Sequence, residues 1–532
     1  MRSTSFPART LGALGGVLAL LLGAHLAAAP GASAAVALTG SGSSYVGPAM
    51  NDWQNGAGSR GIQVNYSAFS SPSGVNQYGD RTVDFAGTEA EVTSLVAAGA
   101  GGQSAQQRGY QYVPDVAGAV AVMYNVTDAG GQKVDYLHLT RQTIGRIFSR
   151  DITRWNDPAI TATNGGKALP DQPITLLGRT GQSGTTALFY DFVAQTAPGP
   201  YQAFVSRNAA NGMGALPSGV RPIQLPATGP DAAWYKLFGD SEQIATAVAT
   251  GNVPFSIGYD EFAYALRYGA PTAWVENESG QYTKPYAENI AAALTKAELR
   301  PDLSQKLDGV YGNRDPKTYP ISAYSYVMMP CTSGRDTCHG GYDDPGKTST
   351  ITAFLEHIAC DGQINMARIG YSPLPPNLSQ EMMNSNARLT GQPAKQLNAG
   401  NCANPTFHGG LGAGAASPPD PFEKLGGVDK LTKGTARTSG PTTAASGPLN
   451  AGTATATAAP ETDLANGGSK NWREADPAAY DHGGIGGFGG WAALVLLGAI
   501  VAPLVVRGLL RRARRGRFRQ GRFREGRFRQ GT

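Results

Sequence analysis

In the segment LLGRTGQSGTTALFYDFVAQ (176–195), one arginine precedes a turn rich in glycine and hydroxyl groups, and an apolar run of helical periodicity follows. Ser183 is a good N-cap for a helix that begins at Gly184, and a helix start offers unpaired N–H groups and a partial positive charge. Such a start binds oxyanions, and Arg179 adds a planar fork of donors. The spacing therefore predicts an oxyanion site. The alternative is an ordinary helix cap beside a surface arginine.

Two further stretches have the same pattern of strand, hydroxyl-rich turn and helix start. Residues 38–53 read LTGSGSSYVGPAMNDW, and Pro48 suits the first turn of a helix. Residues 69–78 read FSSPSGVNQY, and Ser71 and Ser73 are the candidate N-caps. Three such helix starts would converge on one small tetrahedral anion. Nucleotide hydrolysis is not expected, because no P-loop ending in Gly-Lys-Ser/Thr occurs.

A carboxylate follows a short strand in the sequence TVDFAGTEAEV, where Thr88 and Glu89 come after the apolar run. A carboxylate beside an anion site repels the ligand unless the ligand carries a proton, as HPO₄²⁻ does. Glu89 would accept that hydrogen, whereas sulfate has none and would leave two acceptors facing each other. Glu89 is therefore a candidate for phosphate selectivity. The alternative is a surface glutamate after a strand.

The elements that position these residues lie between residues 35 and 402, where strand-like and helix-like runs alternate. Alternation of this kind predicts an α/β fold with largely parallel sheets. A segment of more than 350 residues is large for one such sheet, so two lobes are expected.

Four cysteines lie near the end of this region. In an exported chain an even number of cysteines favours disulfides. Cys331 and Cys338 would close a short loop, and Cys360 and Cys402 would tie down the C-terminal end of the domain, although the connectivity stays open. A metal site is not expected, because no C-x-x-C spacing occurs even though His339 follows Cys338.

The N-terminal segment predicts export. Arg2 and Arg9 precede an apolar run, and Ala-Ser-Ala at 32–34 fits a cleavage site for small residues. We expect residues 1–34 to be a secretory signal peptide and the mature chain to start near Ala35.

The sequence of residues 403–532 predicts a linker and a membrane anchor. Residues 403–484 are rich in Gly, Ala, Thr and Pro and cannot bury enough apolar area to fold. Residues 485–506 carry no charge and are long enough to cross a bilayer about 30 Å thick. The arginines of residues 507–532 then keep the tail in the cytoplasm and the folded domain outside.

The formal charge divides by compartment. The whole chain carries +5, but the tail contributes +10 and the signal peptide +2, which leaves −7 for the exported part. The basic balance therefore says nothing about the partner of the folded domain, for which no nucleic acid is expected. The repeat GRFRQGRFREGRFRQG would suit anionic lipid headgroups. A cytoplasmic overhang that fixes topology is the simpler interpretation.

The chain resembles the phosphate-binding proteins of ABC importers, the PstS family, in a membrane-anchored form. The segments that carry the resemblance are LTGSGSSYVGP, SSPSGVNQ, VDFAGTEA, IGRIFSRDITRWNDPAI, GRTGQSGTT and FSIGYDEFAYA. It covers roughly residues 37–397. It implies a two-lobed, periplasmic-binding-protein-like fold of type II with a hinge. Lobe I would comprise about 35–117 and 258–402, and lobe II about 118–257.

The resemblance also implies a set of phosphate ligands, with Tyr45 acting through its backbone N–H group. By position in this sequence they are Ser44, Tyr45, Ser71, Glu89, Arg179, Ser183, Gly184 and Thr185. Two positions depart from the family pattern. Glu89 stands where the family usually has aspartate, and Gly181 stands where the family tends to place an acid two residues after the arginine.

The resemblance implies a receptor that performs no chemistry and needs no cofactor or metal. It would bind inorganic phosphate outside the membrane and pass it to the permease of an ABC transporter. The alternative is a surface adhesion or signalling module that keeps the fold with altered or lost anion binding. A hydrolase is not expected, because Thr185 replaces the last glycine of the nucleophile turn G-x-S-x-G. The candidate bases also lie in no recognisable motif: His138, His339, His357 and His408.

Overall fold

The computed structural model describes residues 36–420, apart from 212, 214–215 and 217–218. The predicted signal peptide, the linker beyond residue 420, the apolar segment 485–506 and the arginine-rich tail lie outside the described residues. Within the described part, no helix is long and apolar enough to span a bilayer.

Strands and helices alternate along the described chain, as expected for an α/β fold. The strands are β1 (Leu38–Ser43), β2 (Val64–Phe69), β3 (Phe85–Thr88), β4 (Gln111–Asn125), β5 (His138–Leu139), β6 (Thr175–Arg179), β7 (Tyr235–Phe238), β8 (Ser256–Glu261), β9 (Trp274–Glu276), β10 (Tyr282–Thr283), β11 (Glu298–Leu299), β12 (Gln305–Lys306) and β13 (Ser322–Met329).

The α-helices connect these strands and cover both faces of the main sheet. They are α1 (Gly47–Gly58), α2 (Ser71–Gly79), α3 (Val92–Ala97), α4 (Gln103–Arg108), α5 (Arg141–Phe148), α6 (Pro158–Thr163), α7 (Gly184–Thr196), α8 (Pro198–Arg207), α9 (Ser241–Thr250), α10 (Phe262–Tyr268), α11 (Ala287–Leu294), α12 (Asp308–Tyr311), α13 (Pro345–Ala359), α14 (Met366–Ile369) and α15 (Pro376–Thr390).

The main sheet has eight strands in the order β2-β1-β3-β13-β4-β8-β6-β7. Its two outer parts are parallel, since β1 pairs in parallel with β2 and β3, and β6 with β7 and β8. Its centre is antiparallel, where β13 pairs with β3 and β4, and β4 pairs with β8. The prediction of largely parallel sheets is therefore right for the outer strands and wrong for the centre.

Strand β4 belongs to both halves of the sheet. Its residues up to Ala119 pair with β13, and its residues from Val120 onward pair with β8. All of its residues except the last, Asn125, are buried, which agrees with its nearly continuous apolar sequence. Helix α2 packs against β1 and β3, α15 against β4, and α9 against β6 and β8. The predicted two-lobed α/β fold is confirmed.

The three predicted helix starts are present. Pro48 lies in the first turn of α1, and Ser183 is the N-cap of α7, where its side chain accepts the N–H of Thr186. The predicted caps of α2 are wrong by one or more positions. Ser70 is the N-cap, with extended backbone angles and a side chain that accepts the N–H of Ser73. A cap needs a non-helical backbone, and the chain is already helical at Ser71.

Both expected disulfides are present, Cys331–Cys338 and Cys360–Cys402. The chain that follows Cys402 stays in contact with the folded part. Asn404 donates to the carbonyl oxygen of Leu374, and the N–H of Ser417 donates to Glu288. Asp420 pairs with the buried His138. The folded part therefore extends to Asp420, inside the segment that composition assigns to the linker.

Removal of the longer disulfide in Cys360→Ala/Cys402→Ala is expected to lower the free energy of unfolding by about 4 kcal/mol. The reason is that a crosslink between residues 42 apart restricts the unfolded chain. The measurement is urea unfolding without reductant, followed by circular dichroism. The control is Cys331→Ala/Cys338→Ala, whose crosslink spans 7 residues; its expected loss is about 2 kcal/mol. Equal losses, or the reverse order, would contradict this assignment.

Candidate oxyanion-binding site

The predicted site residues come from strand ends and helix starts of both sheet halves. Ser43 ends β1, Thr88 ends β3 and Arg179 ends β6, while Ser183 caps α7. Parallel strands in α/β sheets place their carboxyl ends along one edge, which is where ligands bind in such folds. The fold therefore brings the four segments to one place between the two halves.

Glu89 is the buried carboxylate of the site. It is 6% exposed, and it accepts hydrogen bonds from three serine hydroxyls. Ser43 and Ser71 donate to Oε2, the latter at 3.0 Å, and Ser325 donates to Oε1 at 2.7 Å. Burial raises the pKa of Glu89 to about 7, although the three hydroxyls oppose that rise. Glu89 is therefore poised between its acceptor form and its donor form near neutral pH.

Arg179 is the buried cation of the site and is 2% exposed. Its Nη1 donates to the hydroxyls of Ser44 at 2.7 Å and Ser241 at 3.2 Å. Its Nη2 donates to the carbonyl oxygens of Phe69 at 2.8 Å and Gly239 at 3.1 Å. The fork predicted to face an anion is thus engaged by the protein. Only Nε is buried without a partner.

Gly181 does not contribute to holding the arginine. It has a left-handed backbone, with φ of +78°, and nothing lies within 4 Å of a Cβ atom built on it. The guanidinium is held instead by groups from distant segments, since Ser44 follows β1 and Ser241 begins α9.

The start of α7 approaches the carboxylate closely because Gly184 has no side chain. A Cβ atom there would lie 2.3 Å from Ser71 Oγ and 3.1 Å from Glu89 Oε2. The N–H groups of Gly184 and Thr185 belong to the first turn of the helix and have no acceptor within it. They are suited to an anion, whereas the N–H of Ser183 already donates to the carbonyl oxygen of Ile223.

All eight predicted residues are buried, and hydrogen bonds or close approach connect them. Ser44 contacts Arg179, Ser71 contacts Glu89, and Gly184 lies against both Ser71 and Glu89. The N–H of Tyr45, predicted to face the anion, donates to Ser43 Oγ at 2.9 Å. Ser183 and Thr185 flank Gly184 at the start of α7.

Four residues of this network were not predicted from the sequence: Ser43, Ser241, Asp260 and Ser325. Ser43 lies inside the hydroxyl-rich turn GSGSS, so the turn itself gave a signal for it. Ser325 lies within the mostly apolar strand β13, whereas β8 ends in two adjacent acids, Asp260 and Glu261, which could have indicated a polar site. These residues reach the site only because β13 pairs with β3, and β8 with β6.

The fold and the site together define a two-lobed binding protein with an oxyanion site between its lobes. A family model described as the PBP superfamily domain matches residues 27–361, more than half of the chain. The chain belongs to the PBP superfamily.

Curated relatives narrow this assignment. The chain is 26% identical over 354 residues to the phosphate-binding protein PstS of Xylella fastidiosa strain Temecula1, covering 65% of this chain and 84% of that protein. It is 25% identical over 347 residues to PstS of Pasteurella multocida strain Pm70, covering 65% and 88%. The resemblance to the PstS family is confirmed. A solved structure of the periplasmic phosphate-binding protein PfluDING, bound with phosphate, is similar with a TM-score of 0.47 and 19% identity, covering 71% of this chain and 99% of that one.

Substitution of Gly184 by alanine is expected to weaken oxyanion binding by at least about tenfold while the unfolding temperature stays close to that of the wild type. The added methyl group would lie 2.3 Å from Ser71 Oγ, so the start of α7 has to move away from Glu89. Calorimetric titration with phosphate and thermal unfolding measure the two effects.

The matched control is Gly199→Ala, because nothing lies within 4 Å of a Cβ atom at this position of α8. It is expected to bind as the wild type does. Unchanged affinity in Gly184→Ala would show that the anion does not bind at the start of α7.

Proposed function

We propose that this protein is a receptor that captures inorganic phosphate, as HPO₄²⁻, outside the membrane and delivers it to the permease of an ABC importer. One observation carries the proposal. A cation that attracts an anion, Arg179, and a carboxylate that accepts a hydrogen from that anion, Glu89, are buried in one site. The PstS relatives support it, since they are phosphate-binding proteins by name.

The proposed anion is bound by dipoles and one cation, not by net charge. The N–H groups of Gly184 and Thr185, at the positive end of α7, and the guanidinium of Arg179 act at contact range. The exported part carries −7, but charges on the surface are screened beyond about 8 Å at physiological salt. A negatively charged receptor can therefore still bind a dianion in a closed site.

The proposed ligands are the eight residues predicted from the sequence. The hydroxyls of Ser44 and Ser71 already bond to Arg179 and Glu89. An incoming anion therefore exchanges existing hydrogen bonds for new ones. Such exchange keeps the polar groups of the buried site satisfied before and after binding, and it leaves differences between anions to decide the affinity.

Selectivity rests on Glu89. Hydroxyls of Ser43 and Ser325 hold both carboxylate oxygens, so the longer side chain is fixed in spite of its extra methylene. The OH group of hydrogen phosphate donates a hydrogen bond to the carboxylate, and the OH group of hydrogen arsenate does the same. Sulfate presents only acceptors, and a buried pair of facing acceptors costs about 1–3 kcal/mol or more. The site is therefore expected to prefer phosphate and arsenate over sulfate.

The domain organisation belongs to the same proposal. Residues 1–34 are removed as a signal peptide, residues 35–402 and the segment to Asp420 that contacts them form the phosphate-binding part, and a linker from there to residue 484 leads to an anchor at 485–506. The tail, 507–532, stays in the cytoplasm. The sequence supports export and anchoring through its charge pattern and its apolar segments.

The two lobes are proposed to meet near residues 117–118 and 257–258. The exchange of partners along β4, from β13 to β8 after Ala119, supports the first crossing. The pairing of β8 with β6, which ends at Gly258, supports the second. Movement about these strands would open and close the site.

A receptor explains the site better than the alternatives. Ser183 Oγ accepts the N–H of Thr186 as a helix cap. An adhesion or signalling module without an anion ligand would have no need to bury Arg179 and Glu89 together, because buried charges are costly.

Replacement of Arg179 by methionine is expected to weaken phosphate binding by at least about a hundredfold, because a buried charged donor is lost from the site. The measurement is calorimetric titration of the protein with phosphate, arsenate and sulfate after bound anion has been stripped.

The control is Arg150→Met, which removes another buried arginine that donates to the carbonyl oxygen of Ile174 and lies over Trp234. It is expected to bind phosphate as the wild type does. No response of the wild type to phosphate would overturn the proposed function, and full affinity in Arg179→Met would place the anion elsewhere.

Sulfate binding is expected to strengthen as pH falls from 8 to 5.5. Because the pKa of Glu89 is raised to about 7, the carboxylate is ionised at pH 8 and repels sulfate, whereas at pH 5.5 it is protonated and donates. Sulfate is the informative anion, since it does not itself titrate in this range. Glu89→Gln is the control and is expected to bind sulfate independently of pH. A flat profile in the wild type would remove the proton-sensing role from Glu89.

A further inference from the structure

Arg179 is a buried cation without a carboxylate beside it. It is 2% exposed, and within the described residues it forms no salt bridge. A buried charge needs compensation, because desolvation of an isolated ion costs several kcal/mol. The compensation has to reach the guanidinium through other groups.

A chain of hydrogen bonds connects Arg179 with a buried carboxylate on the neighbouring strand. Nη1 donates to Ser241 Oγ at 3.2 Å, and Ser241 Oγ donates to Asp260 Oδ1 at 2.9 Å. Asp260 lies on β8, which pairs with β6, and its side chain is fully buried. The same Oδ1 accepts the N–H of Glu261 at 2.8 Å, which fixes the carboxylate on its own strand.

The number of hydrogens sets the direction of this chain. A serine hydroxyl has one hydrogen and two lone pairs. Ser241 gives its hydrogen to Asp260, so in the 2.8 Å contact between Ser44 and Ser241 the donor is Ser44. Ser44 in turn accepts from Arg179 at 2.7 Å. All contacts therefore run from the cation toward the carboxylate.

We propose that Asp260, acting through Ser241, is a positioning residue that fixes the guanidinium of Arg179 for the anion. The inference rests on the proposed function. With Nη1 and Nη2 held by four acceptors, the unpartnered Nε is the donor left to an incoming anion. Asp260 supplies the negative charge that the buried Arg179 requires. Because Ser241 lies between the two residues, the carboxylate of Asp260 does not occupy the place of the anion.

The direction of the pKa shift of Asp260 is consistent with this role. Burial raises the pKa of Asp260, and the charge of Arg179 opposes that rise. Asp260 is therefore expected to depend on Arg179 for its ionisation, just as Arg179 depends on Asp260 for compensation.

The first test is a double-mutant cycle on phosphate affinity, measured by calorimetry. Ser241→Ala and Asp260→Leu are each expected to raise Kd at least about tenfold, since either change breaks the relay. The double variant is expected to bind within about threefold of the weaker single variant, because both act through one path. Asp260→Asn, which keeps an acceptor for Ser241, is expected to lose less than Asp260→Leu.

A matched control variant separates loss of the relay from general damage to the protein. Phosphate and arsenate are expected to weaken by the same factor in Ser241→Ala, because Arg179 does not distinguish the two anions. The control is Ser256→Ala, a buried serine on the same strand as Asp260 that bonds only to Val253. Additive losses in the cycle, or equal losses in the control, would overturn the relay.

A second test needs no anion, so it distinguishes failure of the relay from failure of the proposed function. Asp260→Asn is expected to lower the unfolding temperature in the wild type. In the Arg179→Met background it is expected to leave the unfolding temperature unchanged or raise it, because the carboxylate there is an uncompensated buried charge. The same decrease in both backgrounds would overturn the proposal. The expected reversal in a protein that ignores phosphate would retain the relay and overturn the receptor function.

Discussion

The cost of burying charge is the constraint on which the site depends. One cation and one carboxylate, Arg179 and Glu89, lie almost without solvent between the two halves of the sheet. Removed from water, each has to be surrounded by partners that replace hydration. Three hydroxyls serve Glu89, and two hydroxyls with two carbonyl oxygens serve Arg179. These partners come from β1, β2, α2, β13 and α9 and from the turns beside them, so burying the charges requires elements from both halves of the sheet.

Strand β4, which both halves of the sheet share, is proposed to let the two lobes move relative to each other although the charges are buried between them. Parallel strands on either side deliver hydroxyl-rich turns to one edge, while the antiparallel centre lets the chain cross between lobes in extended form. The start of α7 can approach Ser71 and Glu89 closely because Gly184 has no side chain. Under the proposed function, this site recognises an anion by the number of hydrogens that the anion offers and the number that it accepts.

Membership of the PBP superfamily agrees with that physical picture without being needed for it. In the proposed function, specificity comes from a mismatch between the carboxylate of Glu89 and anions that have no hydrogen to donate. A carboxylate that repels every fully deprotonated anion costs affinity in general, and it favours the anion that retains a proton. Burial raises the pKa of Glu89 to about 7, so under the proposed function the same carboxylate would also respond to pH.

Local pattern was enough for much of this protein. The alternation of strands and helices, the helix starts at Ser183 and Pro48 and the even number of cysteines follow from residue type and short spacing, which act within a few residues. The eight proposed site residues came from the resemblance to the PstS family. Tertiary structure decided the rest. The cap at Ser70 replaced the predicted ones because backbone angles, not composition, define a helix start. The partners Ser325, Ser241 and Asp260 lie far along the chain from Glu89 and Arg179, and strand pairing together with the packing of α9 brings them to the charges. The sequence determines which groups can bind an anion. Only the fold determines which partners offset the desolvation cost of those groups, because hydrogen bonds and charges act across space and not along the chain.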